Sequence, residues 1–191
     1  MKALDVRGMA CPLPVVSVKR ALESAEGELR VLLDDGAPRE NVTRFVTGRG
    51  YQVRDEAVEG GFALTITGAA KRPQPTAERA GAVVMLIGTD RLGDGPEELG
   101  RLLMKNLIMT LVDQSELPDR IFFINTGVLL TAAGSEVIEA LEALGNRGVE
   151  VLSCGICLDF FKKKESLAAG GVTNMFTIAE SLLAARSVVR L

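Results

Sequence analysis

Histidine is missing from this 191-residue chain. That excludes a Ser-His-Asp triad, a Cys-His pair and a His-ligated metal built from the chain's own residues. Tryptophan is also absent, and one tyrosine with seven phenylalanines offers little surface for stacking nucleic-acid bases. There is no excess of positive charge. Lys and Arg number 22 against 25 Asp and Glu, a net −3, which speaks against nucleic acid as a partner. No apolar run is long enough to span a bilayer, so no membrane partner is expected. The start, MKALDVRGMACP, contains an acidic residue and lacks the apolar centre of a signal peptide, so a cytoplasmic location is expected. Cysteine is scarce: Cys11, Cys154 and Cys157. Three thiols cannot all pair within one chain, and in a reducing compartment such thiols are more often catalytic or metal-binding than structural.

What is present centres first on Met9-Ala10-Cys11-Pro12-Leu13-Pro14. An extended run, Ala3 to Val6, leads in, and a helical run, Pro12 to Glu23, leads out. Proline has no N–H and a fixed φ, which suits the first helical position. This predicts Cys11 at the N-cap, where open backbone N–H groups and the positive helix end favour a thiolate. The competing reading is a small buried cysteine beside prolines that only start a helix.

Leu29, Val31 and Leu33 alternate as a strand, and Pro38 opens a helix that Gly48 and Gly50 end. Tyr51 to Val58 and Phe62 to Thr67 flank Glu59-Gly60-Gly61 as a hairpin. The order β-α-β-α-β-β over residues 1–68 predicts a two-layer α/β sandwich with a mixed sheet. Residues 69–80, with Pro73 and Pro75, read as a linker. Residues 81–191 alternate apolar strands with helices, which predicts a three-layer α/β/α domain with a mainly parallel sheet. The strands are Ala82 to Gly88, Ile121 to Ile124, Val149 to Ser153 and Ser187 to Arg190. Helices are expected from Pro96, over Ser135 to Leu144 with Gly145 as stop, over Leu158 to Leu167, and over Asn174 to Ala185.

In such sheets ligands bind beyond the carboxyl ends of the strands. Three loops leave that edge: Thr89 to Asp94, Asn125 to Gly127, and Cys154 to Cys157. The first is Gly-rich but carries two aspartates and no GK[ST], so it is neither a P-loop nor a dinucleotide fingerprint. Cys154-Gly155-Ile156-Cys157 admits three mechanisms. It is a dithiol/disulfide couple, or part of a metal site completed by Cys11 or a second chain, or one cysteine carries a chalcogen atom while the other resolves or assists. Phe160 and Phe161 wall this site or belong to the core. Lys162-Lys163-Lys164 stabilises a thiolate or forms a solvated face. No cofactor is indicated.

Leu4-Asp5-Val6-Arg7-Gly8, Cys11-Pro12-Leu13-Pro14-Val15, Lys19 and Ala21-Leu22 resemble the TusA/SirA family of small sulfur carriers. That resemblance implies that Cys11 accepts a persulfide sulfur and passes it on. Ile87-Gly88-Thr89-Asp90, Ile124-Asn125-Thr126-Gly127-Val128 and Cys154-Gly155-Ile156-Cys157-Leu158 resemble the DsrE-like sulfur-relay fold. It implies one working cysteine near the strand end, with the motif count favouring Cys154 and Cys157 kept beside it. In this order the two halves are similar to the YedF-type family of sulfurtransferase-like selenium-metabolism proteins. This implies handling of sulfane sulfur or selenium, a cysteine desulfurase or other chalcogen donor, an acceptor protein, and a homo-oligomer. Against this relay stand a dithiol oxidoreductase on Cys154 and Cys157, and a non-enzymatic adaptor with inert thiols.

Overall fold

The computed structural model describes residues 2–10, 12–24, 27–68 and 82–191. Cys11 and the linker expected over 69–80 lie outside the described residues. The chain forms two compact units, each with its own sheet.

The first unit runs β1 (Lys2–Asp5), α1 (Leu13–Glu23), β2 (Leu29–Leu33), α2 (Ala37–Thr47), β3 (Gln52–Val58) and β4 (Gly61–Thr67). Its strands lie in the order β1-β2-β4-β3, the first pair parallel and the others antiparallel. The period of two places Leu29, Val31 and Leu33 on one face, where Leu64 and Ile66 of β4 join them. Val15, Val18 and Ala21 of α1 and Val42, Phe45 and Val46 of α2 cover that face. The opposite face carries Arg30, Arg54, Glu56, Thr65 and Thr67. This is the expected two-layer sandwich with a mixed sheet.

The hairpin turns on Glu59-Gly60, one residue tighter than the sequence suggests, because Gly61 already pairs with Val58. A Cβ on Gly61 would stand 2.4 Å from the Leu33 carbonyl oxygen, so glycine is required for β4 to lie against β2. Leu64 is fully buried at the centre of this layer. Leu64→Ala should lower stability by about 2–5 kcal/mol through lost burial and a cavity. Urea unfolding followed by circular dichroism measures this, and a loss below about 1 kcal/mol would contradict the close packing.

The second unit runs β5 (Val83–Ile87), α3 (Glu97–Leu111), β6 (Arg120–Phe123), a 3-10 helix (Asn125–Thr131), α4 (Ile138–Asn146), β7 (Glu150–Cys154), α5 (Gly155–Phe160), a second 3-10 turn (Lys164–Ser166), β8 (Gly171–Thr173), α6 (Met175–Ala184) and β9 (Ser187–Arg190). The strand order is β8-β7-β6-β5-β9, and every pairing is parallel. Met85, Ile87, Ile121, Phe123 and Val151 face one side, against Met104 and Ile108 of α3 and Leu141 and Leu144 of α4. Val84, Phe122 and Leu152 face the other, against Ile178 and Leu182 of α6. Burial on both faces explains the unbroken apolar runs of the strands. Among the described residues no helix is long and apolar enough to cross a membrane.

Several boundaries differ from the sequence reading. Helix α1 starts at Leu13, and Pro12 rather than Cys11 is its N-cap (φ −96°, ψ 11°). Helix α4 starts at Ile138 and runs through Gly145, and Gly148 (φ 92°) makes the left-handed exit. The helix expected over Leu158 to Leu167 is instead the short α5, beginning three residues earlier at Gly155. It stops because Lys162 adopts φ 53° while the N–H of Lys163 donates to the Leu158 carbonyl (2.8 Å) and that of Lys162 to the Asp159 carbonyl (3.1 Å), a Schellman closure. Met104 is core, whereas Met109 lies exposed on α3 together with Leu99, Leu102 and Leu103.

Candidate functional site

Both chain segments flanking Cys11 are tied down. Val6 is buried and donates its N–H to the Leu32 carbonyl at 2.8 Å. Gly8 takes φ 71°, open to glycine at no steric cost, and donates its N–H to the Asp34 carboxylate at 2.6 Å. Arg7 pairs with Asp5 at 2.6 Å, and this contact holds the Asp5 carboxyl below the usual carboxylate range. On the far side Leu13 donates its N–H to the Ala10 carbonyl at 2.9 Å. Pro14 sits in the first turn of α1, where no N–H is needed. Met9 and Leu13 remain exposed on either side of the cysteine position. The structure therefore describes a braced loop entering a proline-started helix, with Cys11 itself outside the described residues.

Cys154 and Cys157 stand at the carboxyl end of β7, the edge the sequence assigns to chemistry. Both thiols are free. Cys154 ends the strand and is the N-cap of α5, while Cys157 lies in its first turn. Their environments differ. Cys154 is 1% exposed, and Cys157 is half-buried. Burial pushes the Cys154 thiol up to about 11, and the neighbouring Cys157 side chain pushes the same way. The backbone N–H groups of Cys157 and Ile156 oppose that rise without cancelling it. Cys154 is thus a neutral thiol at physiological pH.

Cys157 is held differently. The backbone N–H of Asn125 donates to its Sγ at 3.1 Å. Asn125 follows β6 in the left-handed region (φ 50°), which asparagine tolerates better than most residues. Gly127 makes this possible. Its Cα lies so close to β5 that a Cβ would stand 2.4 Å from the Ile87 carbonyl oxygen. The same carbonyl accepts the Ile124 N–H at 3.0 Å, so the loop is pinned to the strand end. Beneath it Thr131 Oγ1 and Ser153 Oγ, both buried, lie 2.8 Å apart, and Thr131 also donates to the Val128 carbonyl. The three expected loops do meet here: Asp90 donates its N–H to Thr126 Oγ1 at 3.4 Å.

Two cavities open at this edge. One, of about 410 Å³, is lined by Gly88, Thr89, Ile124, Asn125 and Arg190. The other, of about 440 Å³, lies on the α3 and α4 side and is lined by Asp90, Arg101, Lys105, Glu136 and Lys163. Arg101 pairs with Asp90 (3.3 Å), and Lys105 with Glu136 (3.0 Å). The lysine run is divided: Lys162 is exposed, Lys163 lines this cavity, and Lys164 faces Asp159 at 3.8 Å. Phe160 is neither core nor wall, being 79% exposed, and Phe161 packs into the core beneath it. The sequence places Asn125 in a strand-end loop and in the Ile124-Asn125-Thr126-Gly127-Val128 motif, but assigns it no role toward the cysteines. The local signal for its backbone role is an asparagine directly after a buried strand and two residues before a glycine.

The sulfurtransferase TusA family pattern matches residues 2–68. A Methanocaldococcus jannaschii protein named as a candidate sulfur carrier is 44% identical over 69 residues, 35% of this chain and 92% of its own length. A candidate sulfur carrier of Bacillus subtilis is 31% identical over 61 residues, 31% of this chain and 81% of its own. Among solved structures, a SirA-like protein from Desulfitobacterium hafniense is 36% identical and covers 36% of this chain and 99% of its own, with a TM-score of 0.33. The ychN protein of E. coli is 18% identical and covers 58% of this chain and 99% of its own, with a TM-score of 0.46. Through residues 2–68 the chain belongs to the sulfurtransferase TusA family.

Proposed function

We propose that the protein relays a sulfane chalcogen between cysteines, with Cys11 as the carrier and the Cys154/Cys157 pair as the second station. The observation that carries this reading is the Cys11-Pro12-Leu13-Pro14 element, which lies inside the matched family segment and between two braced backbone stretches at the head of α1. In the transfer a thiolate attacks the outer chalcogen of a persulfide, the chalcogen–sulfur bond breaks, and the donor cysteine leaves as a thiolate. A thiolate that is already formed needs no general base, which fits a chain without histidine. At the second station Cys157 is the better acceptor. It is reachable and has an amide aimed at its sulfur, whereas Cys154 is buried and neutral.

The same reading treats residues 1–68 and 81–191 as separate domains joined by the 69–80 linker, the second DsrE-like and the whole chain YedF-type. It takes selenium as a cargo alongside sulfur. A cysteine desulfurase or other donor loads the chain, and an acceptor protein unloads it. A homo-oligomer belongs to this reading, supported by the exposed Leu99, Leu102, Leu103 and Met109 on α3.

Incubation with a cysteine desulfurase and isotopically labelled cysteine, followed by intact-mass analysis, tests the proposal. One added sulfur should appear on the wild-type chain, and Cys11→Ser should remove it. No added sulfur on wild type, or equal label on the variant, would overturn the reading.

A further inference from the structure

In the relay proposed above Cys154 has no part in accepting the chalcogen, yet it stands three residues from Cys157, the acceptor of that reading. We infer that Cys154 is a buried resolving thiol that discharges the atom carried by Cys157 as free hydrogen sulfide or hydrogen selenide. This rests on the reading of Cys157 as the acceptor.

The geometry supplies each part. An N-cap side chain and the residue three positions on lie over the same first turn of a helix, the arrangement a capping box exploits. Cys154 and Cys157 hold those positions in α5 and pack into the same apolar cluster with Val84, Phe122 and Leu152. The pair is asymmetric: one thiol is closed off and the other reaches solvent. That asymmetry orders the chemistry. Of the pair, only Cys157 can be reached from outside, so the chalcogen arrives there first. Cys154 sees only what Cys157 brings to it.

A second feature lies beside the buried thiol. In the β7–β8 ladder Cys154 is in register with Thr173. Thr173 is 1% exposed, and among the described residues its Oγ1 is a buried oxygen without a hydrogen-bond partner. A buried hydroxyl left unpaired costs stability and calls for an explanation. It sits on the strand that flanks Cys154, without bonding the Cys154 sulfur.

The step balances. Cys154 sulfur attacks the inner sulfur of the Cys157 persulfide. A Cys154–Cys157 disulfide forms, and the bond to the outer atom breaks. The thiol proton leaves with that atom, so Cys157–S–S⁻ and Cys154–SH give the disulfide and HS⁻. The Cys154 sulfur is oxidised from the thiol to the disulfide level, the outer sulfur is reduced from the persulfide to the sulfide level, and the Cys157 sulfur keeps its oxidation level because it exchanges one sulfur–sulfur bond for another. With selenium as cargo, HSe⁻ is the product. An external dithiol then reduces the disulfide and resets the pair.

The test uses the full chain carrying Cys11→Ser, loaded with glutathione persulfide in the absence of reductant. Trapped sulfide and intact mass after alkylation are followed in time. The expected result is sulfide release approaching one equivalent per chain, with an intramolecular disulfide of matching stoichiometry. Adding Cys154→Ala should leave a stable persulfide on Cys157 and slow release at least tenfold. Cys154→Ser, which keeps the size of the side chain, should behave the same way and guards against a packing artefact. Undiminished release from both Cys154 variants, or release without disulfide, overturns the inference and leaves the acceptor role of Cys157 standing. A Cys157 that takes up no persulfide even in Cys154→Ala overturns both.

Discussion

At pH 8 iodoacetamide should modify Cys157 in the native chain about a hundredfold or more faster than Cys154. The thiolate is the species that reacts. With the Cys154 thiol at about 11, only about one molecule in a thousand is ionised there at pH 8. Access compounds the effect, because Cys154 is 1% exposed and Cys157 is not closed off. The sign follows from the direction of the shift. Raising the pH should increase the Cys154 rate about tenfold per unit until the thiol ionises near 11, since each unit multiplies the thiolate fraction by that factor. Peptide mapping by mass spectrometry resolves the two sites, although they lie three residues apart, once the intervening chain is fragmented. In concentrated urea the contrast should vanish, because its origin is the folded environment. Equal rates in the native chain would remove the physical basis for giving the two cysteines different roles.

Gly127→Ala should unseat the loop that addresses Cys157. Its φ is ordinary, so the substitution fails for lack of space and not through backbone strain. The new methyl would sit 2.4 Å from the Ile87 carbonyl oxygen and 3.4 Å from Ile87 Cγ2. Neither the strand end nor the loop can yield without loosening the Ile124 N–H bond to that same oxygen. Overpacking of this kind costs about 1–3 kcal/mol. It also displaces Asn125, so Cys157 loses its fixed amide donor. The contrasting substitution is Gly145→Ala in α4, where nothing lies within 4 Å of the added carbon. Helix propensity alone then acts, and stability should rise by about 0.5–1 kcal/mol. Thermal unfolding of the two variants beside wild type checks both signs. A Gly127→Ala chain as stable as wild type would show that the loop has more freedom than the contact distances allow.

The sequence made the architecture readable wherever a pattern repeats several times. The alternation of Leu29, Val31 and Leu33 and the apolar run through Val83–Ile87 each carry enough periods to identify a half-covered and a fully covered strand. Patterns shorter than that were lost. Strand β8 has only Gly171–Thr173, and its neighbour Gly170 read as loop. The end of α5 was missed because a left-handed closure normally announces itself with glycine or asparagine, and here Lys162 supplies it. Its start was missed because Gly155 is a poor helix former. The close approach of β8, with Val172 Cγ1 3.1 Å from where a Cβ would be, keeps that position small. The candidate site divides along the same line. The strand-end position of Cys154 and Cys157 follows from the order of elements, but their opposite burial depends on contacts with distant strands that no local spacing encodes. The Asn125 amide is invisible to residue-type reasoning because the donor belongs to the backbone.

Strand β3 forms one rim of the first sheet, and its Arg54, Asp55 and Glu56 are all exposed. A carrier has to be approached repeatedly by other proteins, and an unguarded rim of that length would invite them to add a strand of their own and stay. Charges set along it make such templated pairing costly. Encounters are thereby steered away from irreversible self-association, and the unit can be crowded by its clients without seeding aggregates.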